Sequence, residues 1–121
     1  REAEAEASRL HYSLFKRAID IAAYHHERYD GTGYPLGLKG DEIPLCARIV
    51  ALADVFDALT SPRPYKPAYS FNEAVKMIVA AKGTHFEPGI VDSFLSALDE
   101  FRVIYDAFRE APETQEAVQL G

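Results

Sequence analysis

The sequence has little cysteine, no long apolar run and no excess of positive charge, and each of these gaps excludes a class of protein. The one cysteine among 121 residues, Cys46, cannot form an intrachain disulfide, so we expect a reducing compartment and a cytoplasmic location. No apolar stretch approaches the ~20 residues of a membrane-spanning helix, and the N-terminus lacks the positive-then-apolar pattern of a signal peptide. The formal net charge of −6 argues against a nucleic-acid polymer as partner, although a small phosphorylated ligand depends on local charge alone.

Apolar residues make up 48% of the chain and follow a helical period, and no strand-like alternation extends beyond a few residues. An amphipathic pattern begins at Leu10 and predicts a helix that runs into His25 and His26 and stops near Gly31. Residues 30–43 follow as a loop rich in glycine and proline.

Capping and breaking residues predict four more helices. They are expected at about 44–60, from Ser70 or Asn72 to Gly83, from Gly89 to about Leu98, and at about 100–110. The fold class is therefore all-α with about five helices, in one domain at residues 10–111. Residues 1–9 are expected to be a linker or a frayed helix, and residues 112–121 a polar tail.

An adjacent pair of histidines opens the most unusual stretch, which reads HHERYDGTGYP over residues 25–35. Neutral imidazoles and carboxylates are common ligands of first-row metals, and the glycine-rich loop sets an unusual backbone path beside them. Neighbouring residues on a helix point roughly 100° apart, so His25 and His26 reach two ions, or one ion where the helix ends. The alternative is a pair of polar residues at a helix C-terminus, where the helix dipole favours imidazolium.

Two aspartates three residues apart, Asp54 and Asp57, share a face of the helix predicted at 44–60. Asp54 has apolar sequence neighbours, and burial among them is costly for a carboxylate unless it is paired or binds a metal. We interpret Asp54 as a candidate ligand. A capping or salt-bridged carboxylate is the alternative for both residues.

Positive charge follows this helix at Arg63 and Lys66, which offer a planar fork and a point charge to phosphate oxygens. Solvated loop charges are the alternative. Tyr34 is placed either to stack on a base or to anchor the loop, and the two roles are compatible. We interpret His11 as non-functional and His85 as a residue of a helix junction.

Taken together, these motifs resemble those of HD-GYP domains. Residues 25–35 are similar to the family motif HHExxDGxGYP, and residues 38–44 to GLxGxxIP. Residues 48–61 resemble the RIxxxADVFDALTS helix, residues 63–66 the RPYK turn, and residues 83–88 the GTHFDP turn. The resemblance covers about residues 15–98.

The resemblance implies an all-helical member of the HD phosphohydrolase superfamily, which hydrolyses the bacterial second messenger cyclic di-GMP with two or three divalent metal ions, commonly iron or manganese. It implies that the metal ligands are His25, His26 and Asp54. It implies that the substrate-binding residues are Arg63, Lys66 and Tyr34, with Asp57 and Asp30 in supporting roles. It assigns no residue a catalytic role, and it implies a GGDEF-type domain as a partner for the Gly-Tyr-Pro loop.

The chain departs from this family before His25. The defining His-Asp pair has no counterpart, since the chain has no His-Asp dipeptide and His11 is the only earlier histidine. We therefore expect the C-terminal half of an HD-GYP domain, with weak or no phosphodiesterase activity of its own. Either the sequence begins inside the domain, or a partner chain supplies the rest, or the protein is degenerate. Exposed apolar faces at 10–25 and 44–60 predict a dimer. The alternative function is a catalytically inactive helical interaction module that binds a signalling partner through residues 31–44.

Overall fold

The computed structural model describes the backbone of residues 1–110 and the side chains of residues 1–108. Within that part of the chain all regular structure is helical, which confirms the predicted fold class. The helices are α1 Glu2–Tyr24, α2 Leu45–Thr60, α3 Phe71–Ala80, α4 Pro88–Ser96 and α5 Leu98–Glu110, with a short 3-10 helix at Gly40–Glu42. The predicted polar tail at 112–121 lies outside the described residues.

Helix α2 and the start of α3 lie where the capping residues predict them, whereas α3 ends at Ala80, three residues before the predicted stop at Gly83. Pro44 precedes α2 as its N-cap. At the start of α3 the Glu73 amide donates to the Ser70 hydroxyl at 3.1 Å, and the Ser70 amide donates to the Glu73 carboxylate at 3.1 Å. After α3 the chain turns at Gly83, whose φ of 89° is a left-handed conformation that favours glycine.

Helix α1 extends further at its start, and less far at its end, than the amphipathic pattern predicts. It begins at Glu2 rather than Leu10, because the Glu-Ala segment has high helix propensity and acidic residues in the first turn favour the helix dipole. It ends at Tyr24 rather than near Gly31, with His25 as its C-cap. The Glu27 amide then donates to the Tyr24 carbonyl at 3.0 Å, which closes a tight turn and starts the loop.

The chain divides after Val91 into two compact units. In the first unit, α2 contacts both α1 and α3 and supplies much of the buried core, including Ala47, Leu52 and Phe56. Phe56 packs edge-to-face against Phe71 at the start of α3, with ring centroids 5.4 Å apart. In the second unit Phe94 and Phe101 make a similar contact at 5.0 Å.

Helix α1 leaves a large apolar surface in solvent, and none of its residues is fully buried. The large exposed apolar side chains of α1 are Leu10, Tyr12, Leu14, Phe15 and Ile19. None of the helices within residues 1–110 combines the length and the apolar character needed to cross a bilayer.

Candidate functional site

A pocket of about 300 Å³ brings together residues that are far apart in the sequence. His25 and His26 enter it from the end of α1, Tyr34 from the following loop, and Asp54 from α2. His85 joins them from the turn that precedes α4. The three candidate metal ligands and one candidate substrate residue therefore line the same cavity.

His25 is held in one orientation by the backbone of its own helix. Its Nδ1 lies 2.7 Å from the Ile21 carbonyl oxygen. Because a carbonyl oxygen can only accept, Nδ1 is the donor, and in the neutral imidazole the lone pair is then on Nε2. This is the arrangement in which a histidine presents Nε2 to a metal while its other nitrogen is fixed by a second partner.

His26 lies beside His25 and beneath Tyr34. The two imidazole centroids are 3.9 Å apart with their planes 40° from parallel. The Tyr34 ring stacks on His26 at 4.9 Å and 18°, and the Tyr34 amide donates to the His26 carbonyl at 3.4 Å. Since 62% of Tyr34 remains exposed, its ring holds His26 in place and still offers surface to a ligand.

Asp54 lines the pocket as an exposed carboxylate rather than a buried one. The turns of α2 place Ala51, Leu52 and Phe56 in the core and leave Asp54 on the side of the pocket. The carboxylate is therefore not buried among its apolar sequence neighbours and does not carry the desolvation cost that such burial would bring. Within the described side chains it forms no hydrogen bond or ion pair, so it is available to a cation. Asp57 does not line the pocket and accepts from the Ser61 hydroxyl at 3.5 Å.

These donors fit a divalent ion in kind but do not form a closed site. Two imidazoles and one carboxylate are ligands that iron, manganese and zinc accept. Among the side chains of residues 1–108, however, no three His, Cys, Asp or Glu groups converge closely enough to hold an ion. The residues therefore fit part of the ligand set of a metal site.

Glu27 has a role that its place beside two histidines did not predict. Only 2% of it is exposed, and its two carboxylate oxygens accept the amides of Leu36 at 2.9 Å and Leu38 at 3.0 Å. The buried carboxylate thus holds the far side of the glycine-rich loop against the end of α1. The sequence feature that could have indicated this role is an acidic residue shortly before a glycine-rich loop, whose backbone amides need acceptors.

Gly33 allows this loop to lie directly on the backbone that follows α1. A Cβ at this position would lie 2.4 Å from the Arg28 nitrogen and 2.6 Å from the His26 carbonyl oxygen. Both neighbours are backbone atoms, so a larger residue cannot be accommodated without moving the loop.

The turn at residues 83–88 is pinned to the same loop. The Tyr29 amide donates to the His85 carbonyl at 3.0 Å, and the Asp30 amide donates to the Thr84 carbonyl at 2.9 Å. His85 is therefore the junction residue predicted, but its ring also lines the pocket. Burial, and then the nearby Arg28 guanidinium, hold the pKa of His85 below its ordinary value.

Asp30 shapes the turn at the start of the loop. One of its oxygens accepts from the Thr32 hydroxyl at 2.6 Å and from the Thr32 amide at 3.0 Å. The hydroxyl and then the amide of Thr32 lower the pKa of this carboxyl group. Asp30 does not line the pocket, so its contribution is to loop geometry.

An ion pair between Arg48 and Glu87 joins the start of α2 to the 83–88 turn. The Nε of Arg48 also donates to the Ile43 carbonyl at 2.8 Å. Both charged side chains are largely buried, so the pair fixes the turn that carries His85.

Arg63 and Lys66 lie outside this pocket. Both are exposed in the loop after α2, where their backbones pair with each other at 2.9 and 3.2 Å. The Lys66 ammonium lies 5.0 Å from the centre of the Tyr69 ring. The structure does not bring these two predicted phosphate contacts to the candidate metal ligands.

A family model described as an HD domain matches residues 3–90. The chain belongs to the HD domain family. It is 47% identical to a probable cyclic di-GMP phosphodiesterase of Vibrio cholerae over 109 residues, which cover 90% of this chain and 25% of that protein. It is 52% identical to the cyclic di-GMP phosphodiesterase response regulator RpfG of Xanthomonas campestris pv. campestris over 91 residues, which cover 75% of this chain and 24% of that one.

A solved structure from the same group of proteins matches the fold. The crystal structure of the cyclic GMP-AMP specific phosphodiesterase V-cGAP3 of V. cholerae gives a TM-score of 0.59 at 26% identity, covering 86% of this chain and 25% of that one. The HD-GYP resemblance read from the motifs is thereby confirmed. The chain spans about a quarter of the length of these HD-family relatives.

Proposed function

We propose that this chain supplies part of the divalent-metal site and the substrate-facing loop of a cyclic-dinucleotide phosphodiesterase. The observation that carries the proposal is the shared pocket of His25, His26, Asp54 and Tyr34. The names of the HD-family relatives, which specify cyclic di-GMP or cyclic GMP-AMP, support this substrate class. Cyclic di-GMP is the substrate we favour, because both sequence relatives described above are named for it.

The residues of the pocket have separate tasks in this proposal. His25 binds metal through Nε2 while the Ile21 carbonyl holds its Nδ1 proton. His26 is oriented by the stacked ring of Tyr34, and Asp54 supplies a negatively charged oxygen. When bound, divalent ions supply Lewis-acid activation of water and neutralise charge on the phosphoryl group. Iron and manganese are the ions we favour, since both accept mixed imidazole and carboxylate ligands.

Purified alone, the 121-residue chain should hydrolyse cyclic di-GMP weakly or not at all. The reason is that the described side chains do not close a metal site by themselves. Rapid metal-dependent hydrolysis by the purified chain would contradict this part of the proposal.

Calorimetric titration with Mn²⁺ tests the metal site. We expect weak binding by the wild-type chain, at least tenfold weaker binding by His25→Ala and Asp54→Asn, and no change in His11→Ala. His11 is the matched control, because it is an exposed histidine of α1 that does not line the pocket. Equal affinity in all four proteins would overturn the assignment.

A second candidate function is a helical interaction module that binds a GGDEF-type domain. Leu36, next to the Tyr-Pro pair, is 66% exposed although it is apolar, as a contact surface requires. This function would be favoured if the metal-free chain binds such a domain and the Leu36→Asp variant does not. The exposed apolar side chains of α1 also support the predicted dimer, which light scattering of the chain tests.

A further inference from the structure

Arg28 lines the pocket, and none of the roles above uses it. It follows the two histidines and Glu27, at the point where the chain has left α1. Among the described residues it is the only arginine or lysine that lines the cavity. Among the residues that line the pocket, the permanent positive charge is therefore that of Arg28.

A short relay of hydrogen bonds holds the Arg28 side chain. Its Nε donates to the Thr32 hydroxyl at 3.0 Å, and that hydroxyl donates to Asp30 at 2.6 Å. The Asp30 carboxylate is itself held by the Thr32 amide at 3.0 Å and lies 3.9 Å from the Arg28 Nε. One edge of the guanidinium is thus tied to the loop before any ligand arrives.

The other edge of the guanidinium remains available. Within residues 1–108 neither Nη group of Arg28 has a hydrogen-bond or ion-pair partner. These groups form a planar fork of donors whose geometry matches two oxygens of one phosphate. A fork that is already oriented loses little conformational entropy when an anion binds.

His85 also lines the cavity, next to the loop that carries Arg28. The pairing of the Tyr29 amide with the His85 carbonyl at 3.0 Å brings the two loops together. Burial, and then the charge of Arg28, lower the pKa of His85 and so disfavour its cationic form. Among the residues that line the pocket, Arg28 is the permanent cation that an entering anion meets, and the Asp30 carboxylate on its Nε side offsets part of that charge.

We propose that Arg28 is a phosphate-binding residue that receives the non-bridging oxygens of a phosphodiester of the cyclic dinucleotide, and that Thr32 positions it. The identity of the ligand rests on the proposed function. The orientation of the guanidinium through Nε and the open Nη groups do not. The proposal places a phosphate contact inside the pocket, close in sequence to the candidate metal ligands.

Equilibrium binding of cyclic di-GMP to the 121-residue chain, with and without Mn²⁺, tests this subsite. Arg28→Ala should bind at least tenfold more weakly, because a charge-assisted pair of hydrogen bonds is lost. Arg28→Lys should bind more weakly by a smaller factor, because the charge stays but the fork is lost. Thr32→Val should weaken binding by about threefold, since the charge stays but its orientation loosens. Arg9→Ala, which removes an exposed arginine of α1, is the control and should bind like wild type.

The readouts separate this subsite from the proposed metal site. The affinity for Mn²⁺ should be unchanged in the Arg28 and Thr32 variants, and circular dichroism should show wild-type helicity. If the wild-type chain binds no Mn²⁺, the proposed function fails. The cyclic di-GMP titrations without metal then test the phosphate contact of Arg28 by themselves.

Cyclic di-AMP distinguishes a phosphate contact from a base contact. Equal fold losses for cyclic di-AMP and cyclic di-GMP in Arg28→Ala support a phosphate contact. A loss confined to cyclic di-GMP would mean that the fork binds a guanine edge and would overturn the proposal. Wild-type affinity in Arg28→Ala, or no binding of cyclic di-GMP by the wild-type chain with or without Mn²⁺, would overturn it as well.

Discussion

Replacing Glu27 by glutamine should destabilise the chain by about 3 kcal/mol, although the two side chains have nearly the same shape. Glu27 is 2% exposed and accepts two backbone amides, from Leu36 at 2.9 Å and from Leu38 at 3.0 Å. Glutamine keeps one acceptor oxygen, but its amide nitrogen would face the second backbone N–H. One charge-assisted bond, worth roughly 1.5–3 kcal/mol, is lost, and a buried donor is left without a partner.

Glu42 is the matched control, because it also accepts a backbone amide, that of Lys39 at 2.9 Å, but on the exposed surface. Water replaces the lost acceptor there, so Glu42→Gln should cost less than about 1 kcal/mol. Urea unfolding followed by circular dichroism gives both free energies of unfolding. Hydrogen exchange should also show faster exchange of the Leu36 and Leu38 amides in Glu27→Gln. Equal unfolding free energies for the two variants, with these amides still protected, would refute the reasoning.

Three further changes test other contacts of the site. Gly33→Ala should cost about 3 kcal/mol, because its Cβ would lie 2.4 Å from a backbone nitrogen. Gly89→Ala, whose nearest atom is 3.5 Å away, should be neutral or slightly stabilising in the same urea assay, and equal losses would contradict the packing argument. Arg48→Met should lower the free energy of unfolding by about 3 kcal/mol, because it leaves the largely buried Glu87 carboxylate unpaired. Adding Glu87→Met should recover much of that loss in a double-mutant cycle. If the two losses simply add, the ion pair does not couple these residues. His85→Gln should flatten the pH dependence of thermal stability. Because the pKa of His85 is lowered in the folded state, the unfolded state binds the proton more readily, and wild-type stability falls as the pH drops below the ordinary pKa of 6.5. An unchanged pH dependence in the variant would show that His85 is not the group responsible.

The bounds of α2 and the start of α3 were predictable because they depend on local chemistry. Pro44 and Ser70 act within one turn of the helix that they begin, and Gly83 acts at the turn that follows α3. The start of α1 at Glu2 was not predictable from an apolar stripe, because residues 1–8 have none. High helix propensity alone extends the helix through this segment.

The end of α1 depends on contacts between segments that periodicity does not reveal. The helix stops at Tyr24 where Glu27 turns inward to bind amides nine and eleven residues further along the chain. The sequence indicated that an acidic residue follows the two histidines, but not which partners its oxygens would have.

The candidate site was predicted in part. The motif residues His25, His26 and Asp54 do line one pocket, and their role as metal ligands stays a prediction. Arg63 and Lys66 lie in a turn outside this pocket, and their role as phosphate contacts stays a prediction. Sequence reasoning missed Arg28, since only the structure shows that its guanidinium is oriented through Nε while its Nη groups have no partner among the described side chains. Its signal in the sequence is an arginine four residues before a threonine that can hold it.

Pulsed electron paramagnetic resonance of Mn²⁺ added to the chain tests the central claim most directly, because it detects nitrogen nuclei bonded to the ion. The account predicts imidazole nitrogen couplings in the wild-type chain that weaken when either His25 or His26 is replaced by alanine, and a wild-type spectrum for His11→Ala. A spectrum without imidazole couplings, or one that neither replacement changes, would contradict the claim that these two histidines bind a metal ion.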